Sequence, residues 1–330
     1  TTTTSLLGHL LRCLGHDVAI VGNIGSPLAE IAGERHDFIV AEFSSFQLYR
    51  AHSLPLVGAI VTNLAPDHID WHGSYENYVE AKARIVRLLR PNGFSIVQKR
   101  DVEALHAASQ STYTLSWVGS ENSREIVLDA TADVAQMEGD ILFSFHETSL
   151  IGTHNMENVA MALACIRMLG CDADTARKGL STYVPPPHRC ALVTVVNGVR
   201  YVDDSKGTNV AAAITALSSI PGKKVVILGG RGKGEDYGAL IPVLRENARR
   251  AILIGEAARE IAQAFQAGDY CDCEIAENME SAVLLASTLA QNGDVVLLSP
   301  ACTSWDAYRN YGERGDHFAA LAQALEREAK

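Results

Sequence analysis

No apolar run in the sequence approaches the roughly 18 residues that a membrane-spanning helix needs. Basic residues are the minority, 28 Lys and Arg against 39 Asp and Glu, which leaves a formal charge of −11. That balance argues against a general nucleic-acid binder and against a protein held on acidic membranes. The 7 cysteines include no Cys-x-x-Cys pair. Cys271 and Cys273 are separated by one residue but lack the Cys/His partners of a zinc site. The expectation is reduced thiols in a cytoplasmic protein. No secretory leader is visible and no solenoid-type repeat appears.

What is present describes a globular chain. Its 330 residues are 47% hydrophobic and 20% charged, enough for two domains that each bury a core. The opening TTTTSLLGHLLRCLG places Leu6, Leu7, Leu10, Leu11 and Leu14 on one face of a helix. Apolar runs at Val18–Val21, Phe38–Glu42 and Gly58–Thr62 read as buried strands. Tyr75–Leu89 and His154–Leu169 read as helices, with short strands and turns between Tyr113 and Phe145.

Pro185-Pro186-Pro187 cannot continue a helix and makes a stiff extended connector, so a domain boundary is expected there. Beyond it, Leu192–Val196 and Val199–Asp203 flank Asn197-Gly198, a hairpin turn signal. Strands are expected at Lys224–Leu228, Ala251–Ile254 and Val295–Leu298. Helices are expected at Thr208–Leu217, Leu240–Arg249, Ala257–Ala267, Met279–Ala290 and 315–330. This alternation predicts a mostly parallel sheet with right-handed crossovers.

Ligands of such sheets bind beyond the carboxyl ends of the strands. Those positions carry Asn23, Glu42 followed by Ser44 and Ser45, and Thr62-Asn63 followed by Asp67, His68 and Asp70. Oxygen donors on neighbouring strand tips suit a hard cation such as Mg²⁺. Helix N-capping explains Asp67 or Ser45 equally well. Glu42, at the end of an apolar strand, favours function. A lone His68 is more often a surface or satisfied core residue. The opening threonines fit the end of a strand–GxxxxGK[ST]–helix phosphate loop, and a threonine-rich N-cap accounts for them equally well.

Taken together, VGNIGSP, EFSSFQL, TNLAPDHIDWHGSYENYVEAKARI, GTHNMENVAMALA, HRCALV, DDSKGTN, LGGRGKGEDY and SPACTSWDAYRNYGERGDHF resemble the Mur ligase family, and within it the D-glutamate-adding branch. These stretches run in the family's order from end to end. The family's N-terminal UDP-binding domain and the strand and loop before Thr1 are not matched. The resemblance implies an α/β fold: a central P-loop-type ATPase domain with a mostly parallel sheet over 1–184, and a C-terminal Rossmann-like domain over 185–330.

The implied reaction is ATP-dependent amide formation in peptidoglycan precursor synthesis. UDP-N-acetylmuramoyl-L-alanine is activated as an acyl phosphate and then attacked by D-glutamate. Implied cofactors are ATP and two Mg²⁺ ions; the implied state is a cytoplasmic monomer with small-molecule partners, no nucleic acid and no membrane. By resemblance, Thr1 and Glu42 hold one Mg²⁺, and His68 and Lys82 the other. Lys82 is expected to be carbamylated; its alternative is a solvated lysine on an exposed helix face. Glu42, His68 and Lys82 form the catalytic set. ATP falls to Thr1, Asn63, Asn155, Asn158, Arg189, Asp204 and Lys206. Asn23 and Ser44 face the muramoyl-alanine part, and Thr208, Lys233, Ser304 and Tyr311 face D-glutamate. Ordinary linker charge is the alternative for Arg189, and packing for Tyr311.

Gly229-Gly230-Arg231-Gly232 follows a strand but lacks the GxGxxG spacing of a dinucleotide loop, which counts against an NAD-dependent oxidoreductase. A catalytically incomplete fragment or nucleotide-binding homologue is the remaining alternative. Within the family, the folate-polyglutamating ligase lacks the match to GNIG and SPACTSWD.

Overall fold

The computed structural model describes residues 1–107, 111–117 and 124–329, excluding the side chains of Asp70 and Ala329. Two compact units divide it. The first comprises Thr1–Leu150 with Asn155–Pro185, the second Ile151–His154 with Pro186–Lys330.

In the first unit the opening helix α1 spans Thr2–Cys13 and buries Leu6, Leu7, Leu10 and Leu11, the stripe read from their spacing. Strands β1 (Val18–Gly22) and β2 (Phe38–Glu42) pair in parallel and form a sheet of their own. Helix α2 (Ser45–Arg50) leads to β3 (Leu56–Val61). Two helices follow, α3 (Ile69–His72) and α4 (Tyr75–Arg87). The next strand, β4 (Leu89–Gln98), was not expected. Its Arg90-Pro91-Asn92-Gly93 stretch reads as a turn. Pairing with β3 then carries the chain on to a buried Phe94–Gln98 half. Strands β5 (Thr112–Ser116), β6 (Glu125–Asp129), β7 (Val134–Met137) and β8 (Asp140–Ser144) complete a six-stranded sheet in chain order. It is parallel from β3 to β6 and antiparallel beyond.

Helix α5 (Thr153–Met168) opens on polar residues, but its Val159–Ile166 stretch is small and apolar on every side and buried throughout. A helix apolar all round must be covered all round. Its side chains share one core with α1 and the faces of β4–β8, and the short α6 (Ala173–Arg177) packs beside it.

The second unit opens with the expected hairpin, β9 (Ala191–Val196) and β10 (Val199–Asp203). Then come α7 (Val210–Ser219), β11 (Lys224–Gly229), α8 (Ile241–Asn247), β12 (Ala248–Ile254), α9 (Ala258–Ala267), β13 (Cys273–Ile275), α10 (Met279–Leu289), β14 (Val295–Leu298) and α11 (Tyr311–Ala329). Strand order is β13-β12-β11-β14-β10-β9, parallel except for the hairpin. Three expectations shift, the first being that α11 begins at Tyr311 rather than at residue 315. Ala248 and Arg249 belong to β12 rather than to the preceding helix, because Ala248 already pairs with Lys224 of β11 and the ladder resumes at Arg250, opposite Val225, past a register shift at Arg249. Helix α7 starts after Asn209, whose side chain caps Ala212 N, rather than at Thr208. β11 and β14 are buried along their whole length, the pattern of parallel strands covered on both faces.

Candidate active site

In the first unit, Thr1, Glu42, Asn63 and Lys82 line one cavity of about 590 Å³. Its walls include β2, the Leu54–Asn63 stretch and the Thr3, Thr4, Leu7 and Leu11 face of α1. Among the described residues β2 pairs only with β1 and β3 only with β4, so each presents an unpaired edge to the space.

Glu42 ends β2, and Asn23 opens the turn after β1. Asn23 N donates to the Glu42 carbonyl at 2.7 Å, and its Nδ2 donates to Oε1 at 3.0 Å. Gly22 makes this approach possible: its φ is +105°, and a Cβ there would stand 2.3 Å from the Glu42 carbonyl oxygen. Burial pushes the Glu42 carboxyl up. A hydrogen bond from Asn23 pulls it back down. Oε2 lies 2.9 Å from the Thr1 backbone nitrogen. A half-buried carboxylate beside a threonine fits the donor set of a hard cation.

Lys82 is half-buried on α4, not on a solvated face. Burial lowers its pKa, while Asp67 and Glu42 pull it back up. Its Nζ lies 5.6 Å from the Tyr78 ring centroid. Desolvation favours the neutral amine, the nucleophilic form of a lysine. His68 caps α3 with φ +55°. Its backbone N–H donates to Asp67 Oδ1 at 2.9 Å, and its ring stands 3.6 Å from Asp67 Oδ2. Phe46 carries that ring at 4.8 Å between centroids, and Trp71 at 4.9 Å. His68 is outside the cavity lining, and no group of three His, Cys, Asp or Glu side chains among the described residues is arranged to hold a metal unaided. The Asp70 side chain lies outside the described part.

Ser44, expected at the substrate, caps α2: its Oγ accepts from Gln47 N at 3.2 Å in a reciprocal box. Ser45 is buried against His72 instead, at 2.9 Å. On α5, Asn158 Nδ2 donates to Asn155 Oδ1 at 3.1 Å, and Thr3 Oγ1 donates to Asn158 Oδ1 at 2.7 Å. These two asparagines are therefore tied to α1 next to Thr1.

In the second unit the candidate residues gather where β10, β11 and β14 end. Asp204 is 8% exposed. It accepts from Ser299 Oγ at 2.8 Å and from Cys190 N at 3.3 Å. Burial raises its carboxyl to about 6, with Ser299, Arg189 and Cys190 opposing. Arg189 also bears on His154, which desolvation first and that charge second push down to about 4. Lys206 Nζ lies 5.0 Å from the Tyr311 ring centroid. Tyr311 is 36% exposed at the start of α11, and Ser304 is 2% exposed in the loop after β14. Thr208 and the exposed Lys233 sit on the loops after β10 and β11.

Gly229 and Gly230 have φ of +118° and +131°. Cβ atoms there would come 2.0 Å from Ile254 O and 2.2 Å from Thr303 O. The glycines thus serve close backbone approach, and the loop is bridged to the next one by Arg231 and Thr303, each donating its N–H to the other's carbonyl at 2.9 and 3.0 Å.

His188 escaped the sequence reading, which stopped at its neighbour Arg189. It is 9% exposed, with Nδ1 2.6 Å from Asp203 Oδ2. Gly315 is its signal, since a Cβ there would stand 2.1 Å from His188 Nδ1. Ser205 and Arg314 were read only as parts of longer motifs.

Comparison with known proteins follows the same division. The family described as Mur ligase middle domain matches residues 1–166, and the one described as Mur ligase, glutamate ligase domain, matches 188–302. The chain is 38% identical over 336 residues to the UDP-N-acetylmuramoylalanine–D-glutamate ligase of Pelotomaculum thermopropionicum, covering 99% of this chain and 73% of that one. The protein of the same name from Symbiobacterium thermophilum is 38% identical, with 98% and 73% covered. Among solved structures, MurF ligase from Thermotoga maritima in complex with ADP aligns with a TM-score of 0.71 at 18% identity, covering 99% and 78%. Mycobacterium tuberculosis folylpolyglutamate synthase complexed with ADP aligns with a TM-score of 0.71 at 15% identity, covering 96% and 87%. At such identities these structures speak for the fold alone.

Proposed function

The chain belongs to the Mur ligase family, whose members are ATP-dependent ligases, and on that premise we propose that it joins D-glutamate to UDP-N-acetylmuramoyl-L-alanine, giving ADP and phosphate. The observation that carries this reading is the end-to-end similarity to relatives bearing that enzyme's name. The first unit is the ATP-binding domain, taken as 1–184, and the second, 185–330, receives D-glutamate.

A carboxylate resists attack by an amine until one oxygen becomes a leaving group. Transfer of the ATP γ-phosphoryl group to the muramoyl-alanine carboxylate supplies that leaving group. The amine of D-glutamate then forms the amide bond as phosphate departs. Such a transfer asks the protein for positioning and for cancellation of charge. Bound Mg²⁺ would supply that cancellation between the phosphate oxygens. Thr1 and Glu42 would hold one ion; His68 and a carbamylated Lys82 would hold a second. Asn63, Asn155, Asn158, Arg189, Asp204 and Lys206 bind ATP, and Asn23 and Ser44 meet the muramoyl-alanine end. A dicarboxylate is met by Lys233 and by the hydroxyls of Thr208, Ser304 and Tyr311, a donor set suited to anions. The enzyme acts as a cytoplasmic monomer, and thiols at all 7 cysteines accord with that compartment.

The test is phosphate release by the full-length protein. It is expected only when ATP, Mg²⁺, UDP-N-acetylmuramoyl-L-alanine and D-glutamate are all present. Equal release with L-lysine or diaminopimelate in place of D-glutamate would overturn the assignment.

A further inference from the structure

Arg314 is 1% exposed, yet no carboxylate among the described residues forms an ion pair with it. Its guanidinium is spent on two loops instead. Nε donates to Ser205 Oγ at 2.9 Å and Nη2 to Ser205 O at 2.7 Å. Nη1 donates to Cys302 O at 3.1 Å. Ser205 passes the connection on: its Oγ donates to Tyr311 O at 2.7 Å, and its N–H donates to Asp203 Oδ1 at 2.8 Å. A third loop lies against the same group, because a Cβ on Gly230 would stand 3.1 Å from Nη1.

We propose that Arg314 is a positioning residue for the amino-acid substrate, joining the loop after β10 to the loop after β14 so that Thr208, Ser304 and Tyr311 are held at one spacing. This rests on the D-glutamate reading of the site. Ser205 is three residues from Thr208 in sequence, Cys302 is two from Ser304, and Tyr311 is tied through its own carbonyl. Only a planar fork of donors spans both loops at once; an ammonium is a point donor on a flexible stem. Burying the charge without a carboxylate is costly, and the return is a fixed positive field beneath loops that receive an anion. Burial lowers the guanidinium pKa to about 10, with Cys302, Asp306, Tyr308 and Asp203 opposing, so it remains charged at neutral pH.

The test compares full-length wild-type protein with Arg314→Lys and the milder Ser205→Ala. Each is assayed for kcat, for KM towards D-glutamate and towards ATP, and by hydrogen–deuterium exchange without ligand. Arg314→Lys is expected to raise KM for D-glutamate about tenfold or more, the scale of a lost charge-assisted bond, and KM for ATP less than about threefold. Ser205→Ala acts in the same direction more weakly, and the double variant is no worse than Arg314→Lys alone, because the two share one network. Exchange speeds up in 203–208 and 301–306 while β11 and β12 keep their protection. A lowered melting temperature with unchanged KM values, or exchange raised uniformly across the unit, would assign Arg314 a general stability role and overturn the proposal. If wild-type protein shows no D-glutamate-dependent turnover, the functional reading falls, and the exchange pattern still decides whether Arg314 anchors the two loops.

Discussion

Asn23 and Glu42 are joined twice, backbone to backbone at 2.7 Å and side chain to side chain at 3.0 Å. Residues at the tips of two neighbouring parallel strands thereby aim one carboxylate. The first bond fixes where the turn leaves β1. The second occupies Oε1 and leaves Oε2 beside Thr1.

Asn23→Ala should therefore disturb the carboxylate without touching the fold. Losing a hydrogen bond to a charged group costs roughly 1.5–3 kcal/mol when the partner is buried. In the full-length protein, Mn²⁺ binding measured by electron paramagnetic resonance in the presence of ADP is expected to weaken about tenfold. The KM for D-glutamate should stay within about twofold. Unaltered Mn²⁺ affinity would show that Asn23 does not orient Glu42 for a cation.

Lys233→Ala addresses the other unit. Lys233 is exposed on the loop after β11, held in place from behind by the Arg231–Thr303 bridge. A charge-assisted contact to a substrate carboxylate predicts a fall of about tenfold or more in apparent affinity for D-glutamate. Affinity for ATP should change little. Steady-state kinetics with each substrate varied in turn gives the answer, and an unchanged D-glutamate dependence removes Lys233 from the site.

Asp204 predicts a pH dependence. Its folded pKa is raised to about 6 by burial, above an ordinary aspartate near 4. A raised acid pKa means that the folded state binds the proton more tightly than the unfolded chain does. The ionised carboxylate is the destabilising form, so its cost is absent below about pH 4, grows as pH rises, and is complete above about pH 6. That cost is on the order of 3 kcal/mol. Asp204→Asn removes it, so melting temperature plotted against pH should be flatter between about pH 4 and 6 in the variant than in the wild type. Parallel curves would contradict the buried, titrating carboxylate.

The fold was legible wherever burial sets the pattern. Leucines of α1, the apolar runs of β11 and β14, and the Asn197-Gly198 hairpin each follow from local periodicity or turn chemistry. β4 was missed because Pro91 and Gly93 read as a turn; the pairing with β3 skips residues 90–93 and resumes at Phe94, opposite Gly58. The short β13 gains its strand character only from its register with β12. In the site, strand-tip residues such as Glu42 stood out by position. Arg314 did not, since a charged residue on a terminal helix ordinarily faces solvent; its burial comes from tertiary contacts with Ser205 and Cys302. His188 was hidden in the same way, and only the glycine opposite it, Gly315, carried a trace.

Lys82 bears on the chemistry most directly. Burial lowers its pKa and thereby raises the share of neutral amine. A neutral amine adds to carbon dioxide, forming a C–N bond and releasing one proton, and the product is an anionic carbamate. The ammonium would repel a cation held near Glu42, whereas the carbamate offers it oxygen ligands. Lys82→Ala is thus expected to cut turnover by at least about a hundredfold, since charge on the transferred phosphoryl group is no longer offset. The circular-dichroism spectrum and melting curve should stay close to wild type. A short carboxylate added to the alanine variant should restore part of the activity by supplying the missing oxygens. Independently of turnover, ¹³C NMR of protein equilibrated with ¹³C-labelled bicarbonate should show a carbamate resonance that Lys82→Ala lacks. An identical spectrum for the two proteins, with near-normal turnover by the variant, would return Lys82 to the role of a lysine packed on Tyr78.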